Sequence, residues 1–200
     1  EGEGTFVMNA KDLSLISHVQ KIMQTGAIDS FKIEGRTKSE YYVACATNAY
    51  RAAIDDAASD KFEARVYERE IATLKNRGFS DGYLIKRPYE REDTQNLDRS
   101  IELGTHQVCA ISQDGEFISV KDKILPGEAY EIFAPRGFKI CACDNEIGKI
   151  FELDGKPYLK FKRLQSRSGK EFSEIHSGNL NEIKLPAKLA EFCFLRKEIE

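Results

Sequence analysis

The chain has 200 residues, a net charge of −3, 41% hydrophobic and 32% charged residues. This composition is that of an ordinary folded protein, with room for one large domain or two small ones, and its charge makes no whole-chain case for or against nucleic acid. No apolar run approaches the ~20 residues of a bilayer-crossing helix, which excludes a helical membrane span.

In chain order, the opening EGEGTFVMNAKDL lacks the charged-then-apolar order of a signal peptide. Thr5–Met8 reads as a short strand. Asn9 or Asp12 can cap a helix running to about Gln24, with Leu13, Ile16, Val19, Ile22 and Met23 on its apolar face and Gly26 ending it. Phe31 and Ile33 alternate with Ser30 and Lys32, a strand signal over Asp29–Ile33 that Gly35 breaks. Thr37 and Glu40 have the spacing of a capping box, so a helix is expected from Glu40 to Ala57. The order strand, helix, strand, helix is the pattern of a parallel sheet. Two strands and two helices bury too little surface to stand alone. Residues 1 to about 60 are therefore expected to be the last units of a larger α/β domain whose earlier part lies outside this chain. A small, self-contained α+β domain is the alternative. A further helix over Lys61–Asn76, with Phe62, Val66, Tyr67, Ile71 and Leu74 as its apolar set, closes at Asn76-Arg77-Gly78 and links the two halves.

From Phe79 the pattern changes. Strand-like runs occur at Gln107–Ser112, Glu116–Val120, Ala129–Ala134, Phe138–Ala142, Lys149–Leu153, Tyr158–Leu164, Asn181–Leu185 and Glu191–Arg196. Turn signals punctuate them, with Asp114-Gly115 and Asp154-Gly155 the best hairpin turns. Such spacing predicts an antiparallel barrel or sandwich over residues 81–200, after an α/β portion with its linking helix over 1–80. The charged stretch Lys86–Arg99, which holds Pro88, is expected to be an exposed connector.

Three groups of residues carry candidate chemistry. Glu34, Arg36 and Lys38 follow a parallel strand, where α/β folds place ligand-binding groups, and Arg36 offers a bidentate fork for carboxylate or phosphate. The alternative is a surface ion pair of little energetic value. Asn9, Lys11 and Asp12 occupy the equivalent turn after the first strand; the alternative there is a helix cap beside a solvated lysine. The third group is KPYLKFKRLQSRSGK, which carries Lys156, Lys160, Lys162, Arg163, Arg167 and Lys170 without an acidic residue and interleaves Tyr158 and Phe161. As a strand it would present a basic stripe suited to a nucleic-acid backbone; a solvated strand face is the alternative. The five cysteines, odd in number and scattered, point to reduced thiols in a cytoplasmic protein. Cys141 and Cys143 would share one strand face as small buried residues. His18, His106 and His176 have no partner at ligand spacing, so no metal site is expected. No complete hydrolytic motif occurs.

Three stretches carry a family resemblance: EGRTKSEYYVACATNAYRAAIDDAA (Glu34–Ala58), MNAKDLSLISHV (Met8–Val19) and NRGFSDGYL (Asn76–Leu84). They resemble the collagenase-like peptidase family U32, and more narrowly its tRNA-hydroxylation branch. VKDKILPGEAYEIFAPRG (Val120–Gly137) is similar to the family's C-terminal domain and resembles the second-domain barrels of translation factors. The resemblance implies a TIM-like barrel, of which this chain holds the last βα units, followed by a small antiparallel β-barrel. It implies formation of 5-hydroxyuridine at the tRNA wobble position, with prephenate and iron–sulfur dependence in the full-length protein and no cofactor in this stretch. Other members are described as collagen-degrading proteases. Glu34, Arg36 and Lys38 match the family motif residue for residue, which implies catalytic roles for Glu34 and Arg36, and substrate binding by Lys38 with Asn9 and Lys11. The expected partners are the remaining α/β domain and tRNA, with no membrane.

Overall fold

The computed structural model describes residues 9–97 and 104–199. The chain divides into two compact units, Glu1–Thr105 and His106–Glu200. The candidate strand at Thr5–Met8 lies outside the described residues.

In the first unit, β1 (Asp12–Leu13) leads through a 3₁₀ turn at Ile16–His18 into α1 (Val19–Gln24). The helix therefore starts later than its apolar periodicity suggests. The backbone of residues 11–14 is taken by other segments instead: Lys11 N–H donates to Thr94, Asp12 to Gly78 and Ser14 to Ser80, each at 2.9 Å. Gly26, at φ +64°, ends the helix as expected. α2 (Glu40–Ala58) is the longest helix, and α3 (Ala64–Ala72) packs against it. Tyr41, Cys45, Ala49 and Ala53 recur every fourth residue along the buried face of α2, and small side chains there let Tyr67, Ile71 and Leu74 enter the same core. β2 (Phe79–Ser80) then pairs in parallel with β1, Asp12 opposite Phe79.

Two local expectations are corrected here. Asp29–Ile33 forms no strand, and Ile28 and Ile33 are exposed. Among the described residues no neighbouring strand takes its hydrogen bonds. The cap of α2 is Ser39, whose hydroxyl accepts from the Tyr42 N–H at 3.2 Å, rather than Thr37. Both are hydroxyl residues within one turn, and the chain direction after Lys38 selects the later one.

The second unit is an eight-stranded antiparallel sheet. Its strands are β3 (His106–Ser112), β4 (Phe117–Val120), β5 (Ala129–Phe133), β6 (Cys143–Asp144), β7 (Gly148–Leu153), β8 (Lys156–Phe161), β11 (Ile183–Lys184) and β12 (Cys193–Glu198). A separate two-stranded ribbon joins β9 (Leu164–Gln165) to β10 (Glu171–Phe172). The order β11-β4-β3-β12-β5-β8-β7-β6 curls, so that its two ends approach each other. Asn145, beside β6, donates to the Pro186 carbonyl beyond β11 at 2.7 Å, and Ser166 bridges Ile183. A register shift between Leu195 and Arg196 bends the central strand β12. Tyr130, Phe161, Leu159, Ile118, Ile124 and Leu195 fill the concave side.

Both expected hairpin turns form. At Asp154-Gly155 both residues have positive φ, as a type I′ connection requires. At Asp114-Gly115, Asp114 accepts from the Glu116 and Phe117 N–H groups, and a Cβ on Gly115 would stand 2.1 Å from the Leu189 carbonyl oxygen. Phe138–Ala142 is not a strand, and only Cys143–Asp144 pairs, with β7. Cys141 is consequently exposed and Cys143 half-buried, rather than both lying on one buried face.

Candidate functional site

Asp12 is the organising residue of the first unit's polar centre. It sits on β1, its side chain 11% exposed, and two cations converge on it from different elements. Lys38, just before α2, donates to Oδ2 at 3.3 Å, and Arg77, in the turn before β2, donates to Oδ1 at 3.3 Å. Lys38 also lies over the Tyr42 ring, 4.7 Å from its centroid. Burial, with the Asp12 charge next, pushes the Tyr42 phenol up to about 12, so it remains a neutral donor at physiological pH. Two cations on one carboxylate leave a net positive charge held by a fixed anchor. Such a group can receive a carboxylate or phosphate.

Around this centre the backbone is held by amides. Asn9 is buried and donates to the Asn96 carbonyl at 2.9 Å; Asn96 donates to the Arg77 carbonyl at 2.9 Å. Lys11 donates to the Glu92 carbonyl at 2.7 Å. Asn9 and Lys11 thus pin the 90–96 segment beside β1. Glu34 and Arg36 stand elsewhere, 62% and 87% exposed, with a loose 3.9 Å contact between them. Of the motif's trio, the structure brings only Lys38 to Asp12.

A cleft of about 520 Å³ opens in the same unit, lined among others by Ser14, Ser17, His18, Glu68, Ser80 and Asp81. His18 Nε2 lies 3.5 Å from Asp81 Oδ2. Asp93, also at the wall, has its carboxyl held below the usual range by the Tyr89 and Glu90 N–H groups, as the inner member of a capping box at Arg91–Asp93. Sequence placed Asp12 in a candidate turn with Asn9 and Lys11, but it did not single out Arg77, Tyr42 or Asp81. The NRGFSDGYL motif, which spans Arg77 and Asp81, was the available signal.

In the second unit, the basic stretch divides into paired and unpaired members. Lys156 reaches Glu131, Lys162 pairs with Asp144, Arg163 with Glu171, and Arg167 with both Asp114 and Glu182. Arg167 also lies 3.9 Å from the Phe117 ring centroid. Lys170 rests over the Phe172 ring at 5.0 Å. Among the described residues, no carboxylate lies within ion-pair distance of Lys160 or Lys170. A stretch without an acidic residue in sequence is therefore largely compensated by carboxylates from other strands.

The cysteines do not fit an iron–sulfur cluster. Cys109 and Cys193 sit in the curled sheet's core, where burial pushes their thiols up to about 12 and about 11. Cluster ligation needs thiolates close together. Among the described residues no group of three or more His, Cys, Asp or Glu can hold a metal ion. No helix among them is long and apolar enough to cross a membrane.

The parallel β1–β2 pair, its surrounding helices and the polar centre at Asp12 all fall within residues 1–94, which match the sequence model of Peptidase family U32. Over these residues the chain is similar to that family. Across all 200 residues it is 46% identical to the tRNA hydroxylation protein P of Helicobacter pylori strain 26695, covering 47% of that protein. The tRNA hydroxylation protein P of Escherichia coli K12 is 38% identical over 141 residues, 67% of this chain and 30% of the relative. A collagenase of Porphyromonas gingivalis is 34% identical over 86 residues, 42% of this chain and 20% of the relative. The chain thus spans about half the length of the tRNA hydroxylation protein it matches end to end. No solved structure matches it.

Proposed function

We propose that this chain is part of a cytoplasmic tRNA-modifying protein that hydroxylates wobble uridine at C5. The observation that carries this reading is 46% identity, over every residue of both units, to a tRNA hydroxylation protein P. In this reading β1, β2 and the strandless run at residues 27–35 belong to a TIM-like barrel completed by further chain. The curled sheet is a barrel like the second domain of translation factors, and it contributes RNA binding. The net positive centre at Asp12, Lys38 and Arg77 would face an anionic group, and Glu34 and Arg36, on their exposed run, would form a rim once the barrel is complete. Prephenate and any iron–sulfur cluster would be handled by the intact protein, since this chain's thiols do not assemble a ligand set. The test is mass spectrometry of tRNA nucleosides from cells lacking the gene. Loss of 5-hydroxyuridine derivatives is the expected result; an unchanged nucleoside profile overturns the reading.

The collagenase relative gives a second reading, peptide hydrolysis. The cleft has the residue types for it, with His18 3.5 Å from Asp81 and serines nearby. Among the described residues, however, no serine hydroxyl is hydrogen-bonded to His18, and that link is the one a nucleophile–base pair needs. Gelatin cleavage by the intact protein, abolished by His18→Ala, would favour this reading over the first.

A further inference from the structure

The β7–β8 hairpin presents an outward face that the paired cations of the basic stretch do not explain. Lys149 and Lys160 are direct cross-strand partners, and both are exposed. Like charges placed directly opposite destabilise a sheet. The next strand offers little relief: Asp144 stands opposite Lys149 but is already paired with Lys162. Three lysines therefore share one carboxylate. On the other side of Lys160 stands Ala129, which brings no charge.

The adjacent outward row holds aromatic rings. Phe151 and Tyr158 are also direct cross-strand partners, their centroids 6.0 Å apart and their planes within 24°. Both are half-buried, whereas their inward neighbours Ile150 and Leu159 are fully in the core. Residues two apart on a strand stand about 7 Å apart, so a lysine pair and an aromatic pair lie side by side on one surface. A nucleotide has the same two-part character, an anionic phosphate and a flat base. Aromatic platforms beside a cationic track are how proteins hold unpaired strands.

We infer that Lys149 and Lys160, with Phe151 and Tyr158, form a binding surface for single-stranded RNA, the lysines taking phosphates and the rings taking a base. This rests on the RNA-binding role proposed above and relocates it. The surface uses Lys160 but not Lys162, Arg163 or Arg167, whose charges are met by carboxylates, and it adds Lys149, which lies outside the basic stretch.

The experiment is fluorescence anisotropy of a labelled oligouridylate titrated with the 200-residue chain, from about 50 to about 200 mM salt. Lys149→Gln combined with Lys160→Gln should weaken binding and flatten the slope of log affinity against log salt by about 1.4, or about 0.7 for each lost phosphate contact. Tyr158→Ala should weaken binding about tenfold, while Tyr158→Phe keeps it, because stacking needs the ring and not the hydroxyl. Arg163→Gln, away from Asp144, should change affinity less than about twofold. The lysines are exposed, so their variants test the surface even if Tyr158→Ala unfolds, which circular dichroism would reveal. Salt-dependent binding by the wild type that neither the lysine pair nor Tyr158 affects overturns the site but leaves the RNA reading standing. So does equal affinity for a DNA duplex of the same length. No binding by the wild type at low salt overturns both.

Discussion

Replacing Glu131 with glutamine removes the charge from the most heavily committed carboxylate in the second unit. Its side chain, on β5, is 6% exposed. Arg196 donates to Oε1 at 2.6 Å and Lys156 to Oε2 at 3.2 Å, with His106 Nε2 at 3.3 Å from Oε2. Burial alone would raise this carboxyl. Hydrogen bonds from His106 and Arg196, with the charges of Arg196 and Lys156, outweigh it and hold the group down from 4.5 to about 2. At about 1.4 kcal/mol per pKa unit, folding favours the ionised form by about 3 kcal/mol. The variant also takes the Glu131 carboxylate away from Arg196, 1% exposed, and breaking one side of such a pair typically costs ~3–5 kcal/mol. The expected loss at neutral pH is therefore about 3 kcal/mol or more. Because the folded pKa lies below the unfolded one, this stabilisation is complete above about pH 4.5 and fades as the pH falls toward about 2. Urea titrations of wild type and Glu131→Gln, followed by circular dichroism across that range, should show a gap that narrows with acid. Adding Arg196→Met to Glu131→Gln should recover part of the loss at neutral pH, since the buried guanidinium is then gone. A gap below about 1 kcal/mol at neutral pH, or one that does not narrow on acidification, would refute the reasoning.

Three further substitutions test how the chain sets its turns. Ser39→Ala should destabilise the first unit by about 1 kcal/mol, and Thr37→Ala by no more than a few tenths, because only the Ser39 hydroxyl accepts from the start of α2; thermal melts that rank them the other way would return the cap to Thr37. Gly115→Ala places a Cβ at 2.1 Å from the Leu189 carbonyl and imposes φ +76° on an L-residue. It should cost at least about 2 kcal/mol in denaturant titrations, and a loss of a few tenths would mean that the Leu189 segment moves aside freely.

Local signals were legible where a structural choice depends on neighbours in sequence. Tyr41, Cys45 and Ala49 mark the buried face of α2, and the two Asp-Gly pairs mark their hairpins, because helix faces and two-residue turns are decided within a few residues. The site was legible only in part. Lys38 stood out by its motif, but its anchor Asp12 is 26 residues away, and Asp12's second cation is 65 residues away. Glu131 looked like one strand residue among many, since Lys156 lies 25 and Arg196 65 residues from it. The charge of the basic stretch shows the same limit in the opposite direction. Counting charges along KPYLKFKRLQSRSGK gives a stripe, yet Asp114, Glu131, Asp144 and Glu182 reach it from other strands and turns. In an antiparallel sheet the nearest charges to a residue belong to its cross-strand partners, so the local net charge of one strand is a poor guide to the potential above it.

The strand that did not form is informative on the same grounds. Asp29–Ile33 has the alternation of a half-buried strand, yet it joins no sheet and Ile28 and Ile33 are exposed. In the same unit, β1 and β2 form a parallel pair only two residues long. Parallel strands are stable when several lie together with both faces covered, because their crossovers place helices on each side. An alternating run that joins no sheet and a short parallel pair, in one unit with α-helices, are what the end of such a sheet looks like without the strands that would flank it. The chain covers 47% of the tRNA hydroxylation protein it matches throughout. That supports the proposal that the flanking strands come from further chain. Their arrival would bury Ile28 and Ile33 and turn the residues that follow, Glu34 and Arg36, from a solvated ion pair into groups at a strand's carboxyl end, where α/β sheets hold their ligands.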